Sequence, residues 1–229
     1  MLKFQQKVVF MEKYLETLKM CPLFYGIGDE DLLRMLTCLG AKTETFDKKY
    51  TVVAEGNSAR HIGIMLSGSV SVTQMDYDGN RSIVGNVVPP EVFMEAFACA
   101  EVRKVPLSVV ANEESEIMFI DCSHILHTCH NNCGFHQQLI FNLMKNLAAK
   151  NIELHRKAEI TSKRTTREKL MAYLNMCAKK SGSRVFEIPF NRQELADYLQ
   201  VERSGLSAEI SKLRREGILQ SERNRFELL

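Results

Sequence analysis

Apolar residues recur at two different spacings along the chain, and the change of spacing divides it into segments. In residues 8–40 they follow a helical spacing that Pro22 interrupts. From about 43 to 121, short runs rich in Val, Ile, Thr and Phe alternate with glycines and prolines, and Asp78-Gly79 is a hairpin signal. Short strands at this spacing predict a β-roll or sandwich preceded by short helices.

A long helical segment follows the strands. Between about residues 135 and 160 there is no proline and no glycine, and apolar residues recur at alternating spacings of four and three. This is the a/d repeat of a two-stranded coiled coil, so we predict that the helix dimerises the protein. The alternative is packing on its own roll, which usually needs a wider apolar stripe. The predicted interface residues are Ile140, Met144, Leu147, Asn151 and Leu154.

Two capping boxes mark helix starts in the last third of the chain. Thr165 with Glu168 predicts a helix after a polar break, and Asn191 with Glu194 predicts a short one further on. A third helix follows almost at once and ends at Gly217. The last third is therefore predicted to be mainly helical.

The last two of these helices have the pattern of a helix-turn-helix. A small residue, Ala196, lies in the first and an apolar residue, Val201, in the turn, which favours a tight crossing. Apolar segments around Leu219 and Phe226 predict a two-stranded wing. The start of the second helix in such a motif enters the major groove, where Arg and Ser bond to bases and phosphates. The predicted DNA-contacting residues are Arg192, Gln193, Arg203, Ser204, Ser207 and Lys212.

Charge supports this interpretation, and composition limits the class of protein. The 229 residues are 45% hydrophobic and 25% charged, as in a globular protein of two modest domains. No apolar run is long enough for a membrane span or a signal peptide, so we expect a cytoplasmic protein without a membrane partner. Residues 156–229 carry 16 Lys and Arg against 10 Asp and Glu, whereas the remainder carries 14 against 18. Positive charge is thus concentrated where phosphate contact is predicted.

Cysteine and histidine residues cluster at residues 122–136. The chain has seven cysteines and no secretion signal, which favours reduced thiols over a disulfide framework. On a helix, Cys129 and Cys133 would share one face, so they are the candidate metal ligands. The alternative is ordinary buried thiols beside exposed imidazoles.

The order of parts and these motifs resemble the Crp/Fnr family of bacterial transcription regulators over nearly the full length. The resemblance implies an α+β protein with an N-terminal double-stranded β-helix (jelly-roll) sensor domain, a long dimerisation helix and a C-terminal winged helix-turn-helix. It also implies a homodimer that binds double-stranded DNA at a palindromic operator and contacts RNA polymerase. The likeness is carried by residues 61–72 around Gly68, residues 76–93, the long helix and residues 191–213.

The resemblance implies domain boundaries, and it shows where the residues expected to read bases differ from those of other members. We expect the sensor domain at residues 1–134, the dimerisation helix at 135–162 and the DNA-binding domain at 163–229. Ser204 and Ala208 stand where the best-known members carry a glutamate and an arginine that read bases. The operator is therefore expected to differ from theirs.

The cyclic-nucleotide cassette of the family is incomplete here. Members that bind cyclic nucleotides hold the ribose and phosphate with a Gly-Glu pair and a later Arg-Ser or Arg-Thr pair. The equivalent places here read Met94-Glu95-Ala96 and Val105-Pro106-Leu107, so the glycine and the arginine with its neighbour are absent. Without that arginine a cyclic phosphate loses its bidentate partner, and Arg103, two residues early, could substitute only if the loop is shifted. Cyclic AMP is therefore not expected to bind, and the cofactor stays unknown. The predicted effector pocket comprises Met94, Glu95, Ala96, Val105 and Pro106.

Two other functions are compatible with parts of the pattern. One is a β-roll protein-interaction or metal-binding module without specific DNA binding. The other is a metalloenzyme of cupin type, but that needs several histidines on the roll strands, where only His61 occurs. No catalytic arrangement or phosphate-binding loop stands out, so no enzyme activity is predicted. We predict a sequence-specific DNA-binding transcription regulator, controlled by a small effector or by a redox or metal signal sensed in the roll.

Overall fold

The computed structural model describes residues 13–75, 81–126 and 134–229. The chain divides into two compact units, residues 1–149 and 150–229, each with its own hydrophobic core. The hairpin signal Asp78-Gly79 lies outside the described residues. The helices are α1 (Leu15–Met20), α2 (Asp29–Cys38), α3 (Glu95–Cys99), α4 (Cys122–Leu126), α5 (Gly134–Thr161), α6 (Thr166–Ser181), α7 (Arg192–Leu199) and α8 (Arg203–Arg215), with a 3-10 turn at Pro22–Phe24.

Eight strands within the described residues build the roll of the first unit as two antiparallel four-stranded sheets. One sheet has the order β1-β8-β3-β6 and the other β2-β7-β4-β5. The strands are β1 (Lys42–Phe46), β2 (Thr51–Val53), β3 (His61–Ser67), β4 (Val70–Met75), β5 (Arg81–Val87), β6 (Val92–Phe93), β7 (Ser108–Ala111) and β8 (Ser115–Asp121).

Alternating residues of the roll strands belong to two different cores. Ile64 and Met118 pack with the helices of the first unit, whereas Met65 and Ile117 pack with residues of the second sheet. This alternation follows from the two-residue period of a strand, which directs neighbouring side chains to opposite faces. The central strands β3 and β8 of the first sheet are therefore apolar on both faces, with helices on one side and the roll interior on the other.

Helix α2 shows how the flanking helices form. Its first turn is acidic, which complements the positive end of the helix dipole. Leu32, Met35 and Leu36, at spacings of three and one, lie on one face and are buried in the core with β3 and β8. The spacing of these apolar residues thus explains why the helix packs against the roll.

The second unit is a helical domain with a small antiparallel sheet. Strands β9 (Val185–Glu187), β10 (Leu219–Glu222) and β11 (Arg225–Leu228) pair in the order β10-β11-β9. Both predicted capping boxes are confirmed at the starts of α6 and α7. The predicted order of β-roll, long helix and winged helix-turn-helix is also confirmed. No helix within the described ranges combines the length and the apolarity needed to cross a membrane.

Gly68, in the turn between β3 and β4, is required by its surroundings. Its φ of 73° is in the left-handed region, and a Cβ atom there would collide with the carbonyl oxygen of Glu114 and the side chain of Ser115. Gly85 in β5 differs, because no atom of the described residues lies within 4 Å of a Cβ atom added there.

Replacement of Gly68 by Ala is expected to lower the free energy of unfolding by about 2 kcal/mol or more, since the left-handed backbone alone costs roughly 1–2 kcal/mol for an L-residue. Chemical denaturation followed by circular dichroism measures this. Gly85→Ala is the matched control, with an expected change within about 0.5 kcal/mol. Equal losses in both variants would contradict the steric argument.

Candidate nucleic-acid interface

Helix α7 begins at a fully formed cap. The side chain of Asn191 accepts hydrogen bonds from the amides of Gln193 and Glu194 at 2.9 and 3.0 Å. The Glu194 carboxylate in turn accepts from the Asn191 amide at 2.7 Å. These bonds satisfy amides that have no partner inside the helix, so the first residue of α7 is well defined.

The turn between α7 and α8 is short and tightly bonded. Gln200 has a φ of 54° and ends α7 in the left-handed region. The Val201 amide then donates to the Ala196 carbonyl at 3.0 Å. Ala196 itself is completely buried, and its small side chain allows α7 and α8 to approach closely. The first turn of α8 is thereby fixed relative to α7.

Helix α8 has one buried face and one exposed face. Leu206, Ile210 and Leu213 lie in the core of the second unit. Arg203 and Ser204 are exposed in the first turn of the helix, where the chain emerges from the turn. Of the other predicted contact residues on α8, Ser207 is half-buried and Lys212 is exposed. The exposed face therefore includes the first turn of the helix and continues to its basic end.

The wing is a tight hairpin that joins β10 to β11. Arg223 adopts a φ of 50° in the turn, and both Arg223 and Arg225 are exposed. The Asn224 side chain donates to the carbonyl of Ile188 at 3.3 Å, and the Ile188 amide donates to the Asn224 carbonyl at 2.9 Å. Two basic side chains are thus held at the tip of a well-anchored hairpin.

Arg192 connects the start of α7 to this wing. Its guanidinium donates to the Arg223 carbonyl at 3.4 Å and lies 5.6 Å from the centre of the Phe226 ring. Partial burial lowers the pKa of Arg192 below its ordinary value. The sequence suggested only a DNA contact for this residue, and the structure adds a bond that positions the wing. Gln193, also a predicted DNA contact, is exposed and donates to Asp197 at 2.9 Å.

A second cross-link ties α6 to α8. The Arg167 guanidinium lies 2.7 Å from a Glu216 carboxylate oxygen and 3.7 Å from one of Glu209. Hydrogen bonding to Glu216 raises the pKa of Arg167, and the same bond lowers the pKa of Glu216. This contact was not predictable from the sequence, because no fixed spacing links residue 167 to residues 209 and 216.

Helix α5 exposes large apolar side chains. Among the predicted interface residues, Met144 and Leu154 are each 65% exposed and Asn151 is exposed, whereas Ile140 and Leu147 are half-buried against the core of the first unit. The structure adds two exposed residues that the heptad pattern did not include. The exposed apolar set of α5 is Phe141, Met144, Ile152 and Leu154.

The cassette region of the roll is filled with its own side chains. Met94 and Val105 are buried in one cluster with Met65 and Phe93. Met94 has a φ of 65°, a conformation that glycine adopts more readily. Glu95 is buried, whereas Ala96 and Pro106 are exposed. The five predicted effector residues therefore divide between core and surface, and their role in effector binding stays a prediction.

A cavity of about 600 Å³ lies elsewhere in the roll, and none of the five predicted effector residues lines it. Although partial burial opposes the change, bonds from Ser123 and the nearby His61 and His124 lower the pKa of Asp121. The residues that line the cavity are widely separated in the sequence, so spacing gave no signal for them. Its walls include Lys42, Glu44, Phe46, Tyr50, Asn57, His61, Phe119, Asp121 and His124.

The predicted metal ligands Cys129 and Cys133 lie outside the described residues. In the parts of the chain that the structure describes, no group of three or more His, Cys, Asp or Glu side chains is placed to hold a metal ion.

Two family models match the chain. The cyclic nucleotide-binding domain model matches residues 43–132, and the Crp-like helix-turn-helix domain model matches residues 168–229. The two matches coincide with the roll and with the winged helix-turn-helix.

Individual proteins show the same relationship. A probable transcriptional activator of Rhizobium leguminosarum bv. viciae is 25% identical over 187 residues, covering 75% of this chain and 70% of that protein. The transcriptional activator protein FnrL of Cereibacter sphaeroides is 23% identical over 191 residues, covering 76% and 71%. The structure of CprK complexed with OCPA superposes with a TM-score of 0.65 at 16% identity, covering 86% of this chain and 91% of that one, and shows the shared fold.

Cyclic AMP is expected to leave the thermal unfolding midpoint unchanged, since the arginine of the cassette is absent and Val105 is buried in the roll core. A ligand that binds the native state at a hundred times its Kd would add about 2.7 kcal/mol. Differential scanning fluorimetry over a cyclic AMP titration measures the effect, with 5′-AMP as the control nucleotide. A saturable rise with cyclic AMP alone would contradict the expectation.

Proposed function

The chain belongs to the Crp/Fnr family of DNA-binding transcription regulators, and from this premise we propose that it reads a palindromic operator as a homodimer through Arg203 and Ser204. The observation that carries the proposal is the exposure of both side chains in the first turn of α8. In a helix-turn-helix this turn enters the major groove. Arg203 then bonds to guanine and Ser204 to a neighbouring base or phosphate.

Residues around this turn contact the DNA backbone. Lys212 is exposed on α8, and Arg223 and Arg225 are exposed at the wing, where each can approach a phosphate. Gln193 is exposed at the start of α7, and Ser207 lies one turn beyond Arg203. Arg192 contributes through the wing, because its bond to the Arg223 carbonyl holds the hairpin beside α7.

Dimerisation takes place along α5. Met144 and Leu154, predicted from the heptad pattern, and Phe141 with Ile152 leave a large apolar area exposed in a single chain. Pairing with a second copy removes this area from water, and a two-fold axis through the helices makes the interface self-complementary. Asn151 lies among these residues and favours a single register. Two recognition helices related by a two-fold axis require a palindromic site.

Control and partners follow from the family. Both relatives are named as activators, which supports a contact between this protein and RNA polymerase. The roll senses a small effector or a redox signal that alters operator binding, and the cavity near Asp121 is one place for such an effector. A protein with this role works beside the chromosome, in the cytoplasm.

Replacing Arg203 by Ala is expected to weaken specific operator binding by about 1–3 kcal/mol, since a bidentate contact to a base is lost. Fluorescence anisotropy at fixed salt, on the duplex that the unmodified protein selects, measures the difference. Arg34→Ala removes another exposed arginine, which lies in the first unit, and is expected to leave affinity unchanged. Unchanged affinity for Arg203→Ala would remove this residue from the reading surface.

Replacing Met144 by Asp is expected to convert the dimer into a monomer, because a carboxylate buried without a partner at the interface is strongly unfavourable. Sedimentation velocity over a concentration series measures the association. Ala149→Asp is the control, since Ala149 is also exposed but lies about 140° further round the helix. A stable dimer in the Met144 variant would exclude this face of α5 as the interface.

A further inference from the structure

Two cysteine side chains from different helices meet in the first unit. Cys99 is the last residue of α3, and Cys122 is the first residue of α4. Their sulfur atoms are 3.2 Å apart, although 23 residues separate them in the sequence. Cys122 is buried and Cys99 is half-buried, so only Cys99 is open to a small reagent from solvent.

The short distance makes a covalent bond attainable. A disulfide has sulfur atoms about 2.05 Å apart, so the two atoms need to approach by only about 1 Å. The backbone on the Cys122 side is fixed, because its amide donates to the Arg60 carbonyl at 3.0 Å. Helix α3 has five residues, and Cys99 lies at its end, where a small adjustment of the backbone disturbs little.

The two thiols differ in reactivity. The hydrogen bond between the two sulfur atoms lowers the pKa of Cys99 and raises the pKa of Cys122. Burial and the nearby carboxylates of Asp121 and Glu101 raise the pKa of Cys122 further. Because the thiolate is the nucleophile, Cys99 is the residue that attacks and Cys122 the residue that resolves.

We propose that Cys99 and Cys122 are an oxidation site, at which a peroxide converts the two thiols into a reversible disulfide. In the first step the Cys99 thiol loses its proton to solvent and the thiolate attacks one peroxide oxygen, so that the O–O bond breaks and Cys99 becomes a sulfenic acid. The leaving oxygen takes up a proton from solvent and departs as water or an alcohol. In the second step the Cys122 sulfur attacks the Cys99 sulfur, the S–O bond breaks, and water leaves with the Cys122 proton. Two thiols are oxidised and one peroxide is reduced, and a dithiol reductant reverses the reaction.

The bond would join the helix that follows β6 to the helix that follows β8. Helix α3 begins at Glu95, directly after Met94 of the cassette region, and α4 continues the chain beyond β8. Oxidation thus links two segments that hydrogen bonds and packing alone hold together in the reduced protein. This inference does not depend on the DNA-binding residues.

The test is disulfide mapping of the full-length protein. The reduced protein is treated with a small excess of hydrogen peroxide, denatured, alkylated and digested for mass spectrometry. We expect two of the seven thiols to escape alkylation, a peptide pair joined through Cys99 and Cys122, and full alkylation after dithiothreitol. Seven alkylated thiols after oxidation, or a bridge between other cysteines, would overturn the proposal.

Variants assign the order of the steps. In Cys122→Ser, dimedone is expected to label Cys99 as a trapped sulfenic acid, whereas in Cys99→Ser the Cys122 thiol should stay unlabelled. Cys177→Ser, which removes a half-buried thiol from the second unit, is the matched control and should keep the bridge. Far-ultraviolet circular dichroism establishes that each variant is folded. If Cys122 in Cys99→Ser is labelled as strongly as Cys99 in Cys122→Ser, the assigned roles are contradicted. Whether the disulfide forms at all is determined by the mapping on the unmodified protein.

Discussion

The close crossing of α7 and α8 is the constraint on which DNA reading by this protein depends. Ala196 is fully buried at the crossing, and a larger side chain there would force the two helices apart. The cap at Asn191 fixes where α7 begins, and the left-handed Gln200 fixes where it ends. With both ends set, Arg203 emerges in the first turn of α8, on the side opposite the core. Arg192 then holds the wing beside α7. One small domain thus positions basic side chains of α7, α8 and the wing.

The first unit combines the fold of the family with different side chains at the cassette. Its roll is built from two antiparallel sheets and has the turn at Gly68, but Met94 and Val105 fill the place of the cassette with apolar side chains. Space is available instead near Asp121, at the cavity between strands of the two sheets. The pair of thiols at Cys99 and Cys122 lies in the same unit. The architecture is therefore that of the family, whereas the side chains at the cassette differ.

Features with a local cause were predictable from the sequence, and features that bring distant segments together were not. The capping boxes at Thr165 and Asn191 follow from residues three positions apart, and both are present. The bond from Arg192 to the wing joins residues 31 positions apart, and no periodicity indicates it. Cys122 was grouped with its neighbours Cys129 and Cys133, yet its contact is to Cys99 on another helix. The heptad pattern also missed Phe141, because exposure depends on which face the roll already covers.

The most direct test of the account is selection of bound sequences from random duplex DNA by the purified, reduced protein at fixed salt. The account predicts enrichment of a palindrome whose half-sites lie about one helical turn apart, as two α8 helices related by a two-fold axis require. Enrichment depends on contacts to the bases. The affinity of the sequence-independent binding, which depends on contacts to phosphates, should fall steeply as the salt concentration rises. Binding without any enriched sequence, in the reduced and in the oxidised protein alike, would contradict the central claim that this chain reads an operator.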